Sequence, residues 1–136
     1  MLLAAFANPS VKRLTVTYNY MRTSFTKTLQ KLIKFMPEKI GYLNFMGSLN
    51  YADHVMPVLG VLGNMKLLMS INFAGLPSTQ HVCRELAKFI VGSFQIREID
   101  LSHCRINFQG TRYIIDALNR NVTIRNFNFS HNDLSS

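Results

Sequence analysis

Acidic residues are scarce in this chain: seven Asp and Glu stand against fifteen Lys and Arg, giving a formal net charge of +8 and a pI near 9.9. The imbalance favours acidic partners, whether protein, nucleic acid or membrane surface, without choosing among them. Cysteine is equally sparse. Cys83 and Cys104 alone build neither a disulfide framework nor a zinc site, and they read as small, reduced, buried residues in a reducing compartment. No apolar run approaches the ~18 residues of a transmembrane helix, so no membrane insertion is expected. Residues 1–7 are apolar and Ala5-Phe6-Ala7 mimics a cleavage site, yet the basic n-region of a signal peptide is missing.

Catalytic vocabulary is missing as well. There is no nucleophile elbow, phosphate loop or His-Cys-acid set. His54, His81, His103 and His131 place no two imidazoles on one helix turn, and no carboxylate joins them as a metal set. Aromatics do not interleave with the basic residues in a stacking pattern, and no RNA- or DNA-binding motif appears. The expectation is a chain that is no enzyme and that carries no cofactor and no metal.

What is present is a repeat. Ile96, Ile99, Leu101, Cys104 and Ile106 are followed 28 residues later by Ile124, Phe127, Phe129, Asn132 and Leu134. Both segments read L-x-x-L-x-L-x-x-N/C-x-L, with Ile or Phe for some Leu. Stepping back gives strand cores near 14–16, 43–45, 71–73, 99–101 and 127–129, preceded by Val11, Ile40, Leu68, Ile96 and Ile124. Between them, Leu29, Val58, Leu86 and Ile114 form one apolar column. Ile33, Leu62, Ile90 and Leu118 form another four residues on, beside Leu32, Val61, Phe89 and Ala117. Apolar residues at i, i+3 and i+4 make one helix face. Each unit is therefore strand, turn and helix, and it must stack on neighbours to bury that face.

Local signals place the ends of these elements. Ser24, Asp53 and Ser78 are the expected helix N-caps. Asn8, Asn64, Asn119 and Asn121 sit near helix ends, where a left-handed residue is tolerated. The helix over 51–63 is expected to be short, displaced or partly 3₁₀, because it carries Pro57, Gly60 and Gly63. The column Asn19, Ser48, Leu76, Cys104, Asn132 should satisfy backbone groups in the turn after each strand, with Leu76 unable to do so. The sequons at Asn121 and Asn128 read as chance.

The 28/29 alternation, and above all IREIDLSHCRINFQGTRYIIDALNRNVTIRNFNFSHNDL with Gly110 as the small residue before the helix, resembles the ribonuclease-inhibitor-like class of leucine-rich repeats. The resemblance covers nearly the whole chain. It implies an α/β solenoid of about four full repeats plus partial ends. A curved parallel sheet lies inside and helices outside, and the fold binds rather than catalyses. The Phe-, Asn- and Ile-rich wording resembles divergent protist cytoskeletal or axonemal members and CARMIL-type regulators.

Residues 1–136 then form one leucine-rich-repeat domain, expected to be a segment of a longer solenoid or one capped by neighbours. Two surfaces compete for function. Thr15, Tyr42, Asn44, Asn72, Glu98, Asp100, Asn126 and Asn128 should line the concave sheet, flanked by Arg13, Ser70 and the column Thr17, Met46, Ala74, Ser102, Ser130. Lys27, Lys31, Lys34, Arg84, Lys88 and Arg112 should form a basic ridge on the helix side, with Lys12, Arg13, Lys39, Arg97 and Arg125 near strand entrances.

The leading expectation is a non-catalytic protein–protein scaffold, a structural component of a larger protein or multi-subunit assembly. Its partners would be an acidic surface or neighbouring repeats, and its place intracellular, cytoplasmic or cytoskeletal, with an organelle as the alternative. A second reading is a basic adaptor for RNA or for an acidic organellar or ribosomal surface. A GTPase-activating role needs a contiguous acidic patch, and only Glu98 and Asp100 approach one.

Overall fold

The computed structural model describes residues 12–16, 27, 31, 40–49 and 51–134. The expectations for Asn8, Val11, Thr17, Asn19, Ser24, Leu29, Leu32, Ile33, Lys34 and Lys39 lie outside the described residues.

Five three-residue strands form one parallel sheet in sequence order: β1 (Arg13–Thr15), β2 (Tyr42–Asn44), β3 (Ser70–Asn72), β4 (Glu98–Asp100) and β5 (Asn126–Asn128). Leu14 pairs with Leu43, Leu43 with Ile71, Ile71 with Ile99 and Ile99 with Phe127, so the repeat spacing is the sheet register. Each strand begins one residue before the expected core and ends between its two apolar positions. The ladder nevertheless runs on, with Phe45, Phe73 and Leu101 N–H donating to Asn72, Asp100 and Asn128 carbonyls.

Three helices with described bounds return the chain outside the sheet: α1 (Ala52–Leu62), α2 (Gln80–Gly92) and α3 (Phe108–Arg120). The periodic columns are the core. Val58, Leu86 and Ile114 are buried against Leu43, Ile71 and Ile99, with Leu62 and Ile90 one turn on. A fully buried aliphatic side chain of this size contributes roughly 1.5–3 kcal/mol. Phe45 and Phe73 stack at 6.4 Å and form an aromatic spine beneath the sheet.

The helix with Pro57 is short, one of the forms expected of it, and other local expectations are corrected. The helix with Pro57 is α-helical from 52 to 62, two residues shorter than α2 and α3, and shows no 3₁₀ portion. Burial of Val55, Val58, Leu59 and Leu62 outweighs the one donor that proline removes. Its N-cap is Tyr51, with no side-chain bond, and Asp53 lies in the first turn, where its charge meets the helix dipole. Thr79 rather than Ser78 caps α2, accepting from Val82 N–H at 3.2 Å, and Asn107 caps α3, accepting from Gly110 N–H at 3.0 Å. Gly110 lies inside the first turn of α3, not before it. None of Asn64, Asn119 and Asn121 is left-handed.

Candidate protein-docking surface

The turn after each strand explains the polar column on the concave sheet. Asn44, Asn72, Asp100 and Asn128 each accept, through one side-chain oxygen, the N–H two residues on: Met46, Ala74, Ser102 and Ser130, at 2.8–3.1 Å. This is an Asx turn repeated four times. The following residue but two is left-handed in every case: Gly47, Gly75, His103 and His131 have φ between 53° and 82° together with Arg105. Glycine holds that backbone without steric cost, and histidine is among the residues that tolerate it. The turn carries Ala74 and Ser102 inward. Ala74 and Ser102 are buried and do not line the concave face as expected, Met46 is half-buried, and Ser130 is exposed.

The remaining polar groups are joined across the strands. Glu98 on β4 accepts from Ser70 Oγ on β3 at 3.3 Å and from Asn126 Nδ2 on β5 at 3.2 Å. Asp100 accepts from Asn128 Nδ2 at 3.2 Å. The structure therefore brings Ser70, Asn72, Glu98, Asp100, Asn126 and Asn128 together in an open trough of about 590 Å³, and Arg125 reaches its rim. At the far end the Arg13 guanidinium lies 4.4 Å from the Tyr42 ring centroid, with Thr15 exposed beside it. The trough carries two carboxylates in a row of amides and hydroxyls. Such a surface offers donors and acceptors fixed by cross-strand hydrogen bonds.

The helix-side ridge is less coherent than its spacing suggests. Lys27 and Lys31 are helical and exposed, and Arg112 is exposed on α3. Arg84 donates from Nε to Tyr113 Oη at 3.2 Å, its guanidinium 5.5 Å from the ring centroid. Lys88 pairs with Glu85 at 2.9 Å, a hydrogen bond that holds the Glu85 carboxyl below the usual carboxylate range. Exposed pairs of this kind contribute little to stability, and Glu85 offsets one of the five described cations of the ridge, while Tyr113 holds Arg84 without neutralising it.

The inner turn column works as expected where its residues allow. Ser48 Oγ donates to Val16 carbonyl, Cys104 Sγ to Phe73 carbonyl at 3.4 Å, and Asn132 Nδ2 to Leu101 carbonyl at 2.8 Å. Asn132 Oδ1 also accepts from Cys104 and Ile106 N–H. Leu76 is buried and apolar in the same place, and its own N–H closes the turn onto Phe73 carbonyl. Both cysteines are free and buried. Burial pushes the Cys83 thiol up and the Cys104 thiol up to about 11.

Two features escaped the sequence reading. The left-handed column mixes Gly with His, so its signal lies in the shared position and not in the residue type. Asn121 is fully engaged: Nδ2 donates to Ile90 and Ser93 carbonyls, and Oδ1 accepts from Thr123 and Ile124 N–H. Its position at a helix end gave no hint of that reach.

No family model matches the chain, and no curated protein matches it in sequence. Solved structures do match. The C-terminal domain of tropomodulin from Caenorhabditis elegans superposes with a TM-score of 0.73 at 11% identity, over 95% of this chain and 82% of that one. At this identity the likeness is one of fold: an α/β leucine-rich-repeat type of parallel sheet with helices outside.

Proposed function

We propose that this chain is a non-catalytic protein-binding scaffold with a cytoskeletal role, and that the concave sheet is its docking surface. The observation that carries the reading is the hydrogen-bonded row through Ser70, Glu98 and Asn126 beside Asp100 and Asn128. Cross-strand bonds fix these side chains before a partner arrives, which lowers the ordering cost of binding. The tropomodulin-like fold supports a cytoskeletal setting.

The scaffold is further read as a unit held by neighbours, a multi-subunit component or a stretch of longer solenoid. Leu134 is 54% exposed, whereas Ile106, its equivalent one repeat earlier, is 1% exposed. Phe108 and Ile115 on α3 extend that uncovered apolar face. A further unit of the same repeat would cover it in the register already set by the sheet.

Detergent extraction of cells expressing the tagged chain tests the cytoskeletal reading. The wild-type chain is expected in the insoluble fraction, and Glu98→Lys with Asn126→Lys should release it. A wild-type chain found wholly in the soluble fraction would overturn the reading.

A further inference from the structure

The three described loops 63–69, 92–97 and 120–125, each leading from a helix into the next strand, form a rim that meets the concave trough at Arg125. Phe94 and Val122, at the same position of successive loops, are 82% and 93% exposed. Met69 is 40% exposed on the same rim. Around them stand Lys66, Arg97 and Arg125, all exposed. The segments 63–69, 92–97 and 120–125 together hold four Lys or Arg and no Asp or Glu, with Arg120 paired to Asp116 on α3 at 3.3 Å.

The rim is built rather than loose. Gln95 Nε2 donates to Met65 carbonyl at 2.7 Å, Asn121 Nδ2 to Ser93 carbonyl at 3.1 Å, and Thr123 Oγ1 to Ile96 carbonyl at 2.8 Å. Arg97 N–H donates to Met69 carbonyl and Arg125 N–H to Arg97 carbonyl, each at 2.8 Å. Three successive loops are thus locked in register, and their apolar tips are presented on a fixed base. Large apolar side chains held out in water by a hydrogen-bonded frame call for a partner that removes them from it.

We propose that this rim docks the protein onto the surface of an anionic lipid bilayer. The cations meet the headgroups, and Phe94 and Val122 enter the boundary between headgroups and acyl chains. Each signal alone is weak, and stable peripheral attachment takes apolar burial and basic charge together. The expectation of no membrane insertion rests on the lack of a spanning segment, and no described helix is long and apolar enough to cross a membrane. Shallow docking needs no such segment. Nucleic acid fits less well. Among the described loops Phe94 is the one aromatic tip, while Val122 and Met69 have no π-face on which a base can stack. Only Arg125 borders both this rim and the protein-docking trough; the other residues differ, so either attachment can stand without the other.

The test is co-sedimentation of the full chain with vesicles of phosphatidylcholine alone and with about one third phosphatidylserine, at low and physiological salt. Binding is expected to the mixed vesicles and not to phosphatidylcholine alone. Arg97→Glu should weaken it at least about fivefold, and Phe94→Ser about tenfold. Arg105→Glu, the same charge change in the turn after β4 at the opposite rim, should leave it unchanged. Circular dichroism of each variant checks the fold. No binding to the mixed vesicles at low salt overturns the proposal. So does equal loss with Arg97→Glu and Arg105→Glu, or binding to a polyuridylate RNA that strips the chain from the vesicles and is itself lost with Phe94→Ser.

Discussion

The imidazole rings of His103 and His131 stack 4.3 Å apart and 9° from parallel, each on a left-handed residue that closes an Asx turn. The two earlier repeats place Gly47 and Gly75 there. His103→Gly should therefore be nearly neutral, because relief of the left-handed backbone offsets the lost stack. His103→Val, β-branched at φ 55°, should cost about 1–2 kcal/mol more than the glycine variant. Urea midpoints of the two variants measure the difference.

Gly110 has no room for a methyl group. A Cβ there would lie 2.7 Å from Cys83 Sγ and 2.8 Å from Ile106 Cγ2. Ala ordinarily stabilises a helix by ~1 kcal/mol over Gly. Overpacking of 1–3 kcal/mol outweighs it, so Gly110→Ala should lower the melting temperature. Adding Cys83→Ala removes the nearer clash and should recover part of the loss.

Asn121 ties the end of α3 to the preceding repeat through two hydrogen bonds to the Ile90 and Ser93 carbonyls, and fixes its own loop by accepting two more from Thr123 and Ile124 N–H. Asn121→Ala leaves partly buried backbone groups without partners and should cost about 2 kcal/mol. Hydrogen exchange should then quicken first around 93 and 121–124, where the lost partners lie. Asn121→Asp keeps the acceptor and loses the donor, and should fall between the two.

The period, the core columns and the sheet register were legible because burial forces the same positions to stay apolar in every unit. Leu43, Ile71 and Ile99 needed nothing beyond spacing. The turns were not legible for an opposite reason. Asn44, Asn72, Asp100 and Asn128 look like three free surface amides and a free carboxylate in a string of letters. Only coordinates show that one oxygen of each is occupied by backbone two residues away. Ser78 and Thr79 are equally good caps by type, and a shift of one residue decided between them. The helix around Pro57 kept its form because four buried side chains hold it against the sheet. The basic ridge was legible as spacing, but spacing could not show Arg84 folded onto Tyr113 or Lys88 paired with Glu85.

The buried thiols set a pH dependence. Both cysteines have raised pKa values in the folded chain, Cys104 about 11, from desolvation. The folded state thus holds these protons more tightly than the unfolded state. Their contribution is fully present below the ordinary thiol value of 9.0 and is lost as pH rises from there towards about 11. Stability measured in urea should decline across that window, and Cys104→Ala should flatten the decline. Near neutral pH both thiols should resist iodoacetamide until the chain unfolds.

The central claim is that the concave trough is where a protein partner docks. Photo-crosslinking residues placed singly at Asn126 on the concave sheet and at Gln109 on the outer side of α3 test it most directly. The account predicts a discrete crosslinked protein from position 126, lost when Glu98→Lys is added, and none of that protein from position 109. The same protein captured from position 109 and not from 126 would contradict it.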